Sequence, residues 1–206
     1  LLQDKRGYIW IATKNGLSRF NGNKWVEFQQ QNGALKHRLP SNWVVDITED
    51  YQSNIWIKTD NGVCKYDTEK DSIIFFSEII KGWGKIVFAK PYNLYISSWS
   101  GIEHYQIEGN KLIHKKSILE SANNSILHLC NDTINNMIWA CPEDHPTLMS
   151  INTQNEEFQH LKKLKFNGKL LVLNSVTPLS KDTLLLSSVN CGLLYYRIKE
   201  KKCYSI

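Results

Sequence analysis

Short apolar stretches alternate with polar turn residues along the whole chain, and no stretch has the sustained periodicity of a helix. Ile55–Thr59 has apolar residues at alternate positions, which predicts a strand with one buried face. The following Asp60-Asn61-Gly62 predicts a tight hairpin, because Asn and Gly accept the positive φ that such turns need. Neighbouring strands are predicted at residues 43–48, 63–66 and 73–76. Together they form a unit of four short antiparallel strands.

This unit repeats. Residues 4–20 (DKRGYIWIATKNGLSRF) align without a gap with residues 50–66 (DYQSNIWIKTDNGVCKY), and residues 93–105 (NLYISSWSGIEHY) form a third copy. Weaker copies surround residues 137–140 and 184–196. The equivalent positions Trp10, Trp56, Tyr95, Trp139 and Leu186 are 46, 39, 44 and 47 residues apart. A period of this length with four strands per unit is typical of a β-propeller.

The predicted fold is therefore all-β, a propeller of four-stranded antiparallel blades. The blade boundaries are expected near residues 1–38, 39–80, 81–120, 121–165 and 166–206. The chain begins at the end of a first strand and ends near the start of a fourth, which predicts somewhat under five blades. Trp10, Trp56 and Trp139 are expected to pack between blades. An open ring would leave exposed strand edges, so we expect sequence outside this chain, or another chain, to close it.

Charge and cysteine content add few constraints. The net charge of +5 comes from scattered basic residues, and no arginine stripe interleaved with aromatics suggests a nucleic-acid partner. The five cysteines show neither CxxC spacing nor a paired His motif, so neither a metal nor a cofactor is expected. Cys130 and Cys141 lie on neighbouring predicted strands and are either bonded or two packed thiols; we favour packed thiols. No segment is apolar enough to cross a bilayer, and any targeting signal is expected outside the chain.

Residues 3–20 (QDKRGYIWIATKNGLSRF) resemble the two-component regulator propeller repeat, whose pattern is Asp, Gly, Trp-Ile-Gly-Thr, Asn-Gly-Leu and an aromatic after Arg. Ala12 replaces the usual Gly, and Pro142 stands where the fourth unit should hold its tight turn. The resemblance implies part of a seven-bladed ring in the periplasmic sensor of a Bacteroidetes hybrid two-component system. It implies oligosaccharide sensing, homodimerisation of the whole protein, and a membrane helix and histidine kinase outside this chain.

A glycan would bind where the linkers between blades meet the hairpins between second and third strands. Aromatic rings can stack on sugars there, while Arg, Asn and Asp can hydrogen-bond hydroxyls or carboxylates. The candidate binding residues, for a neutral or acidic oligosaccharide, are Arg38, Asn42, Trp43, Asp60, Trp83, Trp99 and His145, with His37 beside them.

Two other function classes remain open. Propellers also house lyases and glycosidases, but Asp4 follows Gln3 and Gly7 is one residue late for a sialidase Asp box. The six histidines include no close pair at metal-ligand spacing, so catalytic groups would have to converge from separate blades. A protein-interaction or dimerisation scaffold is the other class, because the fold alone does not determine function.

Overall fold

A computed structural model describes residues 1–31, 35–76, 84–98, 101–118, 126–142, 146–160 and 163–206. It contains five sheets, each of four antiparallel strands in chain order. The first two sheets consist of β1 (Leu2–Gln3), β2 (Ile9–Thr13), β3 (Gly16–Phe20), β4 (Trp25–Phe28), and of β5 (Val44–Glu49), β6 (Ile55–Thr59), β7 (Gly62–Asp67), β8 (Ser72–Phe75). The third consists of β9 (Ile86–Lys90), β10 (Asn93–Ser98), β11 (Gly101–Glu108) and β12 (Lys111–Ile118).

The fourth sheet consists of β13 (Ile126–Asp132), β14 (Met137–Pro142), β15 (Met149–Asn152) and β16 (Phe158–His160). A two-stranded hairpin, β17 (Lys165–Phe166) and β18 (Lys169–Leu170), then precedes the fifth sheet. That sheet consists of β19 (Leu173–Ser180), β20 (Thr183–Ser188), β21 (Gly192–Arg197) and β22 (Lys202–Ser205). The prediction that the last unit would stop near the start of its fourth strand is therefore wrong, because β22 pairs with β21 over four residues. A single 3₁₀ turn, Leu35–His37, is the only helical element among the described residues, and none of them forms a helix able to span a membrane.

Adjacent sheets pack face to face and share one apolar core at each interface. Trp10 lies between the first and second sheets, Trp56 between the second and third, and Trp139 between the fourth and fifth. Their exposed fractions are 0%, 1% and 3%, which confirms the predicted packing role. Tyr95 takes the equivalent place between the third and fourth sheets, where its ring stacks on His104 at 4.3 Å.

An aspartate in the turn between the first and second strands holds each of these tryptophans. Asp4 Oδ1 accepts the backbone N–H groups of Arg6 and Tyr8, at 3.0 and 2.8 Å, and Asp4 Oδ2 accepts the Trp10 indole N–H at 2.9 Å. Asp50 and Asp132 accept the indole N–H groups of Trp56 and Trp139 in the same way, at 2.8 and 2.9 Å. The repeated Asp therefore closes the turn and fixes the tryptophan that fills the interface.

Because neighbouring strands in each sheet are antiparallel and follow chain order, the connections between strands lie at two opposite ends of the molecule. At the linker end, the hairpins between second and third strands meet the linkers between blades, as in the bonds from Gly16 N to Asn42 O (2.6 Å) and from Asp60 N to Trp43 O (3.1 Å). At the opposite end, here called the turn end, the turn before each second strand meets the turn after its third strand, as in the bond from Ile107 N to Tyr92 O (2.8 Å).

The Asn-Gly hairpins lie at the linker end, but they differ in detail from the prediction. Only Gly16 and Gly62 have positive φ, at 113° and 149°. The preceding Asn does not need it, because Thr13 Oγ1 accepts the Asn15 N–H and donates to Gly16 O, and Thr59 does the same in the second hairpin. A threonine hydroxyl thus bridges each turn, and only the glycine of the Asn-Gly pair takes the predicted positive φ.

All five cysteines are free thiols in the structure. Cys130 pairs across the ladder with Trp139, so Cys141 is its diagonal neighbour on β14, a separation longer than disulfides usually bridge. Burial raises the pKa of Cys130 to about 11 and that of Cys141 to about 12, so both stay protonated at neutral pH. The geometry agrees with two packed thiols.

Candidate functional site

Four of the predicted binding residues fall within the described structure, and all four lie at the linker end. Arg38, Asn42 and Trp43 belong to the linker between the first and second sheets, and Asp60 begins the β6–β7 hairpin. Trp83, Trp99 and His145 lie outside the described residues. The site can therefore be built from the side chains between the first three sheets.

Asn42 and Trp43 form one side of this site. Asn42 Oδ1 accepts the Gln30 N–H at 2.7 Å, so its side chain joins the two ends of the linker. The half-buried Trp43 ring has the Lys14 ammonium 4.8 Å from its centroid, in cation–π geometry. Arg38 is exposed beside the linker. Trp43 and Arg38 thus offer a ring and a cation, whereas Asn42 stabilises the loop.

His37 has a structural role. Its Nε2 lies 3.1 Å from Asp71 Oδ1, and its ring packs 4.7 Å from the Phe28 ring. Asp71 also bonds Lys36 and accepts the Tyr66 hydroxyl at 2.7 Å. Burial alone would raise the pKa of Asp71, but these hydrogen bonds hold it well below its usual value. The group anchors the linker to the second sheet.

A buried lysine lies between the second and third sheets at the linker end. Lys58 has 0% exposure, and burial lowers its pKa to about 8, although the nearby carboxylates of Asp46 and Asp60 oppose this shift. Asp46 also binds Lys85 Nζ at 2.9 Å and the Ile86 N–H at 3.0 Å. Asp60 Oδ1 is buried and has no hydrogen-bond partner among the described residues. A buried acceptor of this kind is a place for a water or a ligand hydroxyl.

Polar contacts continue from this group across the innermost strands. Lys85 precedes β9 and is close enough to His128 on β13 to lower its pKa, in addition to the larger effect of burial. His128 Nε2 lies 3.2 Å from Val176 O on β19. The innermost strands of four sheets are therefore linked by polar groups around the axis.

Sequence reasoning missed Lys58, Asp46 and Lys85. A signal for Lys58 was present, because the equivalent positions in the other units hold small residues: Ala12, Ser97, Cys141 and Ser188. Lys58 places a long cationic side chain, facing the next sheet, at a position where the other four units have a small residue. This difference distinguishes the second blade from the others. Asp46 gave no such signal, since a lone acidic residue in a strand is common.

Neither a metal centre nor a hydrolytic triad is seen in the described part of the chain. No group of three or more His, Cys, Asp or Glu side chains there could hold a metal ion. Ser117, His114 and Glu103 cluster on β11 and β12, but Ser117 Oγ and Glu103 Oε2 both approach the same His114 atom, Nε2, at 3.2 and 2.7 Å. A triad requires the acid and the nucleophile on opposite ring nitrogens.

Two cavities open at the turn end. One, of about 460 Å³, lies on the axis and is lined by residues of all five sheets or their turns, including Lys5, Glu49, Val87, Asn131 and Thr177. The other, of about 300 Å³, lies between the second and third sheets. Neither includes a candidate residue from the sequence prediction.

Comparison with known proteins identifies the repeat. Residues 38–61 match the family model of the two component regulator propeller. The match spans the linker, β5 and β6, and thus includes Arg38, Asn42, Trp43, Lys58 and Asp60. No curated protein sequence matches the chain.

Solved structures of low identity share the fold. The extracellular domain of a B. thetaiotaomicron protein described as a hybrid two component system has 17% identity and a TM-score of 0.60, over 97% of this chain and 33% of that chain. PorZ of the Porphyromonas gingivalis type-IX secretion system has 13% identity and a TM-score of 0.72, over 96% and 32%. Virginiamycin B lyase from Staphylococcus aureus has 13% identity and a TM-score of 0.74, over 100% and 68%.

This chain spans about a third of the length of the two-component domains that it matches. At these identities the structural likeness establishes the fold alone. The chain is a β-propeller in which residues 38–61, the linker and first two strands of the second blade, match the family model of the two component regulator propeller.

Proposed function

We propose that this chain is the ligand-sensing propeller of a periplasmic signalling protein and that it binds an oligosaccharide at the linker end. The observation that carries the proposal is that the segment matching the regulator propeller family, residues 38–61, contains all four candidate residues that the structure describes. The proposal assigns the kinase and the membrane anchor to parts of the protein beyond this chain, and it includes pairing of two sensor copies.

The chemistry of the linker end suits a sugar. Trp43 offers a half-buried ring for stacking, and Arg38 offers an exposed cation with several donors. Asp60 Oδ1 is a buried acceptor without a partner among the described residues, so a ligand hydroxyl that donates to it would satisfy it. A mixture of ring, cation and unsatisfied acceptor is what an oligosaccharide site requires.

A thermal-shift screen of oligosaccharides on the intact protein tests the proposal, because a ligand that binds only the folded state raises the melting temperature. A ligand found in this way should bind at least about tenfold more weakly to Trp43→Ala and to Arg38→Ala, as expected when one good contact is lost. The matched control is Trp25→Ala, which removes a 54%-exposed tryptophan on β4, away from the linker end. Equal loss in Trp25→Ala, or no loss in either linker variant, would rule out this face.

A further inference from the structure

We infer a second ligand site, distinct from the linker end, in the cleft between the second and third blades at the turn end, and assign it a carboxylated sugar. The cleft has a volume of about 300 Å³, which is enough for a small ligand. Tyr51 and Tyr92 line it from the turns before β6 and β10, and they are 51% and 55% exposed. Large exposed aromatic side chains at one cleft are unusual on a surface with no partner.

Tyr92 is held there in a strained backbone conformation. Pro91 and Tyr92 form the two-residue turn between β9 and β10, and Tyr92 has a φ of 70°. Position three of such a turn favours Gly or Asn, and a bulky residue with positive φ is a genuine outlier. Strain of this kind concentrates at functional sites. Nothing in the packing of the blade requires the tyrosine, because more than half of its surface is exposed.

Among the charged side chains that line the cleft, the one left without an ionic or hydrogen-bonding partner among the described residues is a lysine. Asp50 is occupied by backbone and side-chain donors, including the Trp56 indole, and Asp67 accepts the N–H groups of Glu69 and Lys70. Lys70 Nζ pairs with Asp67 Oδ2 at 3.4 Å. Lys65 Nζ lies 5.9 Å from the Trp56 ring centroid and has no carboxylate within 4 Å among the described residues. Its ammonium is therefore available to a ligand anion.

These groups together select a ligand class. Tyrosine faces stack on the C–H face of a sugar ring, and the amides of Gln52 and Asn110, which also line the cleft, can bond hydroxyls. The ammonium group of Lys65 then favours a ring that carries a carboxylate. A neutral sugar would leave Lys65 without its partner.

Calorimetric titration of the intact protein with digalacturonate, and with the uncharged disaccharide galactobiose, tests this inference. We expect digalacturonate to bind at least about tenfold more tightly than galactobiose, with an affinity that falls as salt rises. Tyr92→Gly should weaken digalacturonate binding at least about tenfold while its melting temperature stays equal or rises, because glycine relieves the strain. Lys65→Gln should remove the preference for the charged sugar. Tyr204→Ala, which removes a 42%-exposed tyrosine on the fifth blade, is the matched control and should bind as the wild type does.

Four results would overturn the inference. Equal affinity for both disaccharides would reject the anionic class, and binding unchanged in Tyr92→Gly and Lys65→Gln would reject the cleft. Binding of an oligoglutamate peptide instead of either sugar would show that the cleft recognises acidic protein segments. Loss of binding in Trp43→Ala but not in Tyr92→Gly would assign the sugar to the linker end, which would support the proposed function and not this second site.

Discussion

At the scale of single residues, the repeated aspartate explains the sequence pattern. Asp4 is 4% exposed and accepts two turn N–H groups and the indole N–H of Trp10, which is itself fully buried. An aspartate can satisfy all three donors because each carboxylate oxygen accepts more than one bond. The Asp and the Trp of the repeat are therefore one structural unit.

Substitutions of Asp4 should separate the contribution of its hydrogen bonds to the turn from that of its hydrogen bond to the Trp10 indole. Asp4→Ala leaves three donors without their acceptor and should lower the free energy of unfolding by about 2–4 kcal/mol. Asp4→Asn keeps one oxygen for the turn but turns an NH₂ toward the indole, so a loss of about 1–2 kcal/mol is expected. Urea denaturation of the two variants measures both values. Equal destabilisation by Asn and Ala would show that the turn bonds contribute nothing.

Because its pKa is lowered in the folded state, Lys58 should make the free energy of unfolding increase as the pH rises. Its pKa is about 8 in the folded state, below the ordinary lysine value of 10.5, so between these pH values the unfolded chain binds more protons and stability rises with pH. The full effect is at most about 3 kcal/mol by the conversion of pKa shifts to free energy. Lys58→Met, of similar volume, should abolish it.

The measurement is the difference in unfolding free energy between wild type and Lys58→Met from pH 7 to pH 10. Taking the difference cancels the contributions of buried Cys and Tyr groups, which titrate at high pH in both proteins. The free energy of unfolding of the wild type should increase relative to that of Lys58→Met as the pH rises above about 8. A difference that is constant, or that moves the other way, would show that Lys58 is not desolvated as the structure indicates.

At the scale of elements, strands were easier to predict than the chemistry between them. β4 and β6 have the predicted bounds, because aromatic and β-branched residues in short alternating runs exclude other structures. The hairpins were located correctly, but positive φ occurs at Gly16 and Gly62 and not at the Asn before them, whose N–H groups bond Thr13 and Thr59. Lys58 and Asp46 meet only because β5 pairs with β6, a register that composition does not reveal.

Gly16 shows how a hairpin and a linker constrain each other. A Cβ at this position would lie 2.6 Å from Phe28 O, and its φ of 113° disfavours any L side chain. Gly16→Ala should therefore cost more than about 2 kcal/mol. Gly7→Ala is the control, because Gly7 has a φ of 85° but nothing within 4 Å of a Cβ, so only the backbone cost of about 1 kcal/mol applies. Thermal unfolding compares them, and an equal cost would show that the close approach to Phe28 is unimportant.

At the scale of the whole molecule, stability resides in the interfaces between blades. Trp56 is buried between the second and third blades, where its ring stacks on Phe76 at 4.8 Å and meets Phe88 edge-on at 5.4 Å. Trp56→Ala should create a cavity costing about 3–5 kcal/mol. Chemical denaturation tests this value, and a loss below about 1 kcal/mol would mean that the blades do not depend on the shared core.

The two ends of the molecule have different proposed roles. The proposed oligosaccharide site lies at the linker end, and the aromatic cleft lies at the turn end; residues 38–61, which match the regulator propeller family, reach both ends. Both sites draw residues from the second blade, in which Lys58 replaces the small residue of the other units. The two proposed sites therefore make the second blade the main recognition element of the propeller.

Hydrogen–deuterium exchange of the intact protein, with and without the oligosaccharide found by the thermal-shift screen, tests the central claim most directly. Bound ligand should slow exchange in two linker-end segments, residues 35–43 and residues 58–62, and leave the turn at residues 90–93 unchanged. Protection confined to the turn end, or spread evenly over the five sheets, would contradict the claim that this propeller senses its ligand at the linker end.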